Sequence, residues 1–183
     1  FYDSMIAKLI THGPSRDAAI ATMADALDAF AIGGIQHNVP FLSAMMAHER
    51  FQSGRITTGF IAEEFPDGFH GAPMNAEIAR RIAAAKAFAT VRETLRKRRI
   101  SGTLDGARML EPEWVIVLGD DAFPITVTPK ESSILVNFTA AGVSHEVKSS
   151  WAPGEVVMQA DIDGKPYAFQ LVRLPFGHRI LHR

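Results

Sequence analysis

The 183-residue sequence predicts an α+β chain in which one long helix is wrapped by an antiparallel β-barrel, preceded by a smaller α/β part. Three observations lead there. From about Asn75 to Arg99 there is neither Pro nor Gly, and the helix formers Ala, Arg, Glu and Leu dominate. Beyond Glu113, short β-rich runs recur at intervals of roughly ten residues, the rhythm of an antiparallel meander or barrel. Before Pro66, apolar residues are spaced by three and four, as on the faces of helices.

The elements follow in order. Residues 5–12 read as a strand, and Gly13-Pro14-Ser15 breaks it with Ser15 as the candidate N-cap of a helix. Ile20, Met23, Ala24, Leu27, Phe30 and Ala31 share one face of that helix, which Gly33-Gly34 stops. A second helix is predicted from Asn38, whose side chain is placed to cap it while Pro40 takes an early-turn position, and it runs through Met46. After a turn at Gly54, Thr58 to Phe65 gives one short helical segment. Pro66-Asp67-Gly68-Phe69-His70-Gly71-Ala72-Pro73 admits no regular element, so residues 1–66 are read as one domain, 67–73 as a linker and 74–183 as a second domain.

In the second domain the helix is assigned to 75–99. Its middle, Ile82 to Val91, carries one charge, Lys86, and is otherwise nearly apolar all round. Such a helix is enclosed rather than half-exposed, and its many Ala side chains keep it thin. A loop is assigned to 100–112, and strands follow over 113–183: Trp114–Leu118, Phe123–Val127, Ile134–Phe138, Val143–Val147, Val156–Ala160 and Tyr167–Val172, with a start at His178 to Leu181. The barrel is expected to lack its last strand. Asp163-Gly164 is the strongest hairpin turn, since a type I′ turn needs positive φ at both central positions.

Composition excludes several function classes. The net charge is −1, so the chain as a whole has no electrostatic case for nucleic acid or an anionic membrane. Without Cys there is no disulfide, thiolate nucleophile or Cys-ligated zinc, which fits a reducing compartment. No phosphate loop, nucleophile elbow or dinucleotide fingerprint occurs, and the seven His are dispersed without metal-ligand spacing. No catalytic, cofactor-binding or metal-binding residue is therefore assigned. Both ends fall inside apolar runs, Phe1 to Ile10 and Arg179 to His182, from which the chain is read as an internal piece of a larger protein.

One local feature stands out. Residues 75–99 hold eight basic side chains against two acidic ones, a net charge of +6, and the helix ends on Arg96, Lys97, Arg98 and Arg99. Cations at a helix C-terminus meet the negative end of the macrodipole, which is the structural reading. The functional readings are an acidic protein partner or, as a rival, nucleic acid. The loop that follows, Ile100-Ser101-Gly102-Thr103-Leu104-Asp105-Gly106-Ala107-Arg108-Met109-Leu110, mixes Gly with Ile, Leu and Met. It either crosses the barrel end or presents apolar side chains to a partner, and on physics alone the two stand level.

The run Tyr2-Asp3-Ser4-Met5-Ile6-Ala7-Lys8-Leu9-Ile10, then Gly13, Arg16-Asp17, Ala19-Ile20, Met23, Ala26-Leu27, Gly34-Ile35 and Asn38, closely resembles the C-terminal lobe of biotin carboxylase. Thr57-Thr58-Gly59-Phe60 and Phe65-Pro66-Asp67-Gly68-Phe69-His70-Gly71 are similar to the junction in α subunits of the propionyl-CoA carboxylase family, and Glu113-Trp114, Ser149-Ser150-Trp151 and Asp161-Ile162-Asp163-Gly164 resemble the middle, biotin-transfer module of those subunits more loosely. The related methylcrotonyl-CoA carboxylases are the alternative; the Asp67-Gly68-Phe69 junction argues for the propionyl branch.

The resemblance implies a biotin-dependent ligase that uses ATP, Mg²⁺ and bicarbonate to carboxylate biotin, with a carboxyltransferase β subunit passing the carboxyl group to propionyl-CoA. It implies a bacterial-cytoplasmic or mitochondrial-matrix setting, a biotin carrier domain in the same chain, and no membrane or nucleic-acid partner. It also makes the loop a hook that docks the β subunit, with contacts expected from Arg96, Arg98, Arg99 and the run from Ile100 to Gly106, Arg108, Met109 and Leu110. The family's catalytic and biotin-bearing residues have no counterpart in this sequence, so this portion alone is expected to be inactive. Asp3 and Lys8 fall in the lobe strand bordering the biotin-carboxylase pocket and are read as structural.

Overall fold

A computed structural model of the chain describes residues 5–72, 74–97 and 110–182. They divide into two compact units, the first ending before Met74 and the second Met74–His182.

In the first unit, helix α1 (Arg16–Ala29) opens as its sequence requires, with the Ser15 hydroxyl accepting from the Ala18 amide at 3.2 Å. Gly13 precedes it because a Cβ there would meet the Ala19 nitrogen at 2.7 Å, so only glycine lets the chain run this close to the first turn. Ala24 and Leu27 bury the inner face. The helix stops at Ala29, before Gly33-Gly34, where β-branched Ile32 and the two glycines give weak helix propensity. Helix α2 (Val39–Ala47) carries Pro40 in its first turn, but Asn38 makes no side-chain cap; the His37 ring nitrogen accepts from the Val39 amide instead. Helices α3 (Glu49–Gln52) and α4 (Phe60–Glu64) are short. Arg50 binds Glu64 and, at 2.8 Å, Glu63, while Phe65 and Phe69 meet Phe41 edge-on at 5.2 and 5.5 Å.

The strand expected over 5–12 does not form. A strand needs a hydrogen-bonded neighbour, and among the described residues of this unit there is no other strand. Residues 5–13 are irregular instead, and the Thr11 hydroxyl among them donates to the Ala19 carbonyl.

The second unit is a helix inside a curled sheet. Helix α5 (Ala76–Lys97) starts at Asn75, whose side-chain oxygen accepts from the amides of Glu77 and Ile78 at 3.0 and 2.8 Å. Ala83, Ala84, Ala85, Ala87, Ala89 and Val91 are entirely buried. Each Ala presents a single methyl, so strands approach the helix closely, and extra methylenes at such positions cost about 1–3 kcal/mol in forced repacking. Around it lie β1 (Glu113–Leu118), β2 (Asp121–Pro129), β3 (Ile134–Phe138), β4 (Val143–Lys148), β5 (Val157–Ile162), β6 (Lys165–Leu174) and β7 (Gly177–Leu181). They form one antiparallel sheet in sequence order, curled into a half-barrel.

Alternation fills its inside. Ile125, Val127, Ile134, Val136, Phe138, Val147, Met158, Ile162 and Phe169 join the helix alanines in one core. Asp163 (φ 55°) and Gly164 (φ 81°) close the β5–β6 hairpin with both φ positive, as a type I′ turn demands. The Asp163 carboxylate also reaches across to β4, accepting from the Glu146 amide at 2.8 Å and pairing with the His145 ring at 2.6 Å. The seventh strand is a full one, paired with β6 from Leu174↔Gly177 to Gln170↔Leu181.

Candidate functional site

Strand direction sorts the connections of the half-barrel to two ends. The strands alternate, so the start of β1, the β2–β3 turn, the β4–β5 loop and the β6–β7 hairpin share one end. The C-terminus of α5 is at that same end, because the Arg96 guanidinium donates to the Pro153 carbonyl in the β4–β5 loop at 2.9 Å. Lys97, where α5 ends, and Glu113, where β1 starts, therefore lie at this same end.

The loop beneath Arg96 is braced although much of it is exposed. Trp151 is 3% exposed and plugs the core from it. Its indole N–H donates to the Glu155 carbonyl at 2.9 Å, and its amide donates to the Ser149 hydroxyl, which itself donates to the Gln159 carbonyl. The Ala152 amide donates to the Glu155 carboxylate at 3.2 Å. Arg92, Arg96 and Lys97 are exposed on the last turns of α5, where the helix presents its negative dipole end. At the tip of the β6–β7 hairpin on this end, Phe176 is 99% exposed.

Of the residues read from the sequence as partner contacts, Arg98, Arg99, Ile100, Ser101, Gly102, Thr103, Leu104, Asp105, Gly106, Arg108 and Met109 lie outside the described residues. Arg96 and Leu110 lie within them. Arg96 is committed to the Trp151 loop and Leu110 packs, half-buried, against the core. Asp3 is outside the described residues as well, and Lys8 is exposed on the irregular segment.

The structure brings together a second group that sequence reasoning missed. Lys86 Nζ lies 2.9 Å from the Thr90 hydroxyl and 3.0 Å from His178 Nδ1, and His178 Nε2 lies 3.3 Å from a Glu93 carboxylate oxygen. Burial pushes the Lys86 ammonium below its ordinary range, with Glu93 opposing. The only sequence signal was the single charge in the otherwise apolar stretch from Ile82 to Val91. Its partner lies 92 positions further on. Among the described residues no three His, Asp or Glu side chains converge to hold a metal ion, and no helix is long and apolar enough to cross a membrane.

Comparison with known proteins bears on both units. The profile of the Biotin carboxylase C-terminal domain matches residues 1–63, and that of the Propionyl-coenzyme A carboxylase BT domain matches residues 82–183. The chain is 42% identical over 184 aligned positions to the Propionyl-CoA carboxylase alpha chain of Ruegeria pomeroyi, covering all of this chain and 27% of that one. It is 28% identical over 179 positions to the mitochondrial Propionyl-CoA carboxylase alpha chain of Mus musculus, covering 97% of this chain and 25% of that one. It is 51% identical over 61 positions to Biotin carboxylase 1 of Bacillus subtilis, covering 33% of this chain and 14% of that protein. The chain thus spans about a quarter of the length of the alpha chains it matches.

Proposed function

The chain belongs to the family of biotin-dependent carboxylase alpha chains that carry the propionyl-coenzyme A carboxylase BT domain, and on that premise we propose that it couples two active sites rather than forming one. In this reading the intact subunit is a ligase that carboxylates biotin with ATP, Mg²⁺ and bicarbonate, in a bacterial cytoplasm or mitochondrial matrix. A carboxyltransferase β subunit then converts propionyl-CoA to methylmalonyl-CoA. The first unit supports the biotin carboxylase lobe. The second holds the β subunit through the segment that leaves α5 at Lys97.

The observation that carries this reading is the matched order of the two domains in one chain, the second built around α5. No step of the carboxylation is routed through the described residues. What they supply is position. Keeping both catalytic centres in one assembly turns the biotin encounter at each into an intramolecular event, with effective concentrations that reach the millimolar range for short linkers. The Arg96–Pro153 bond and the Trp151 plug brace the end of α5 that precedes the docking segment in sequence.

The test uses the intact alpha subunit. Charge reversal at Arg98 together with Leu104→Asp is expected to reduce co-purification of the β subunit while ATP-dependent carboxylation of free biotin stays at the wild-type rate. Co-purification at the wild-type level overturns the docking role. Leu110→Asp is a poorer probe, since Leu110 packs against the core and its loss reads out as instability.

A further inference from the structure

Strand β7 has a sheet neighbour on its β6 side alone among the described residues, yet its inward face is tied to the helix. Lys86 and Glu93 stand on one face of α5 with Thr90 between them, and His178 of β7 bridges the two. The His178 side chain is 6% exposed. Thr90 accepts from the Lys86 ammonium and passes its own hydroxyl hydrogen to the Lys86 carbonyl at 2.8 Å, so the lysine is held from both ends.

The donors and acceptors allow one arrangement. An ammonium has hydrogens and no lone pair, so Nδ1 of His178 must be the acceptor and bear no proton. The ring then carries its single proton on Nε2 and donates it to the Glu93 carboxylate. A second proton has only Nδ1 to occupy, where it would point at the Lys86 ammonium.

We propose that Lys86, His178 and Glu93 form a proton-operated latch, which holds β7 against α5 while His178 is neutral and releases it when His178 takes up a proton. The charged groups facing the imidazole are Lys86 and Glu93 from α5 and Arg173, its cross-strand partner on β6. Protonation sets the imidazolium against two cations, with Glu93 alone compensating. Because Glu93 lies one turn before Lys97, the latch also ties β7 to the end of α5 from which the following segment departs.

Burial, then Lys86, hold the ring below its ordinary value of 6.5, with Arg173 adding to them and Glu93 opposing. The latched form therefore binds fewer protons than the released one. Its stabilising contribution is complete above 6.5 and falls as pH drops below it, by up to about tenfold in the closed-to-open ratio per pH unit until the latched imidazole itself titrates.

Hydrogen exchange measured by mass spectrometry on the intact alpha subunit tests this, between about pH 8 and about pH 5, with rates corrected for the intrinsic pH dependence of amide exchange. The segment Gly177–Leu181 is expected to lose protection as pH falls below 6.5, while Ile134–Phe138 in β3 keeps its protection. H178N should abolish that pH dependence, and K86M, which removes the facing cation, should make the loss shallower. The proposal is overturned by β7 protection that does not change with pH, by the same change in H178N, or by a loss that β3 shares. Should H178N leave β7 unprotected at every pH, K86M decides: a profile identical to wild type sinks the latch.

Discussion

Helix α5 has two unlike faces. One is a broad surface of Ala83, Ala84, Ala87 and Val91, wholly buried against the half-barrel and offering nothing but methyl groups. The other is a narrow stripe of Lys86, Thr90 and Glu93, half-buried and made of groups that must be hydrogen-bonded. The broad face works through the absence of bulk and accepts any strand that fits. The stripe works through donor and acceptor identity, and it selects one side chain on one strand. The same helix thus sets how closely the sheet wraps and which strand lies at its open margin.

The largest break in that comparison comes from adding volume to the broad face. Ala87→Leu has no space to enter and should destabilise the second unit by about 3 kcal/mol, the upper part of the overpacking range. Urea unfolding followed by Trp fluorescence isolates the effect, because both tryptophans, Trp114 and Trp151, belong to that unit. A smaller loss follows from emptying the stripe. Lys86→Met keeps the apolar stem but leaves Nδ1 of a nearly enclosed imidazole without a donor, at about 1–2 kcal/mol in the same assay. Equal costs for the two substitutions would show that the faces are not different in kind.

The two faces also differ in how far they could be read in advance. An uninterrupted, Ala-rich run declares a thin buried helix through local composition alone, and the ten-residue rhythm beyond Glu113 declares the strands that enclose it. Six strand cores and the Asp163-Gly164 turn followed from alternation and turn chemistry, both of which act within a few residues. The stripe was not legible in that way, because its meaning depends on a strand 92 positions distant in sequence. The same limit explains residues 5–12, whose apolar run has strand character but has no neighbouring strand among the described residues of its unit. From sequence Arg96 is expected to contact a partner, and its bond to the Pro153 carbonyl could not be foreseen, because backbone carbonyls leave no trace in residue type.

The smallest effect sharpens the contrast between polar groups inside and outside the half-barrel. Glu146 of β4 accepts from the Ser133 hydroxyl at 2.7 Å and pairs with Lys130 at 3.0 Å, which holds its carboxyl at about 2 instead of the usual 4.5. In the folded state it binds fewer protons than in the unfolded chain. Its contribution is therefore present above 4.5 and is lost as pH falls toward about 2. Glu146→Gln should lower the neutral-pH midpoint of Trp-monitored unfolding slightly and flatten its decline across that acidic window. The His178 latch begins to act at a higher pH, below 6.5, where Glu146 is still ionised in the folded state. A Glu146→Gln variant that altered β7 protection between about pH 8 and about pH 5 would mean that the two sites are linked through β4, β5 and β6, and that the stripe on α5 is not an independent device.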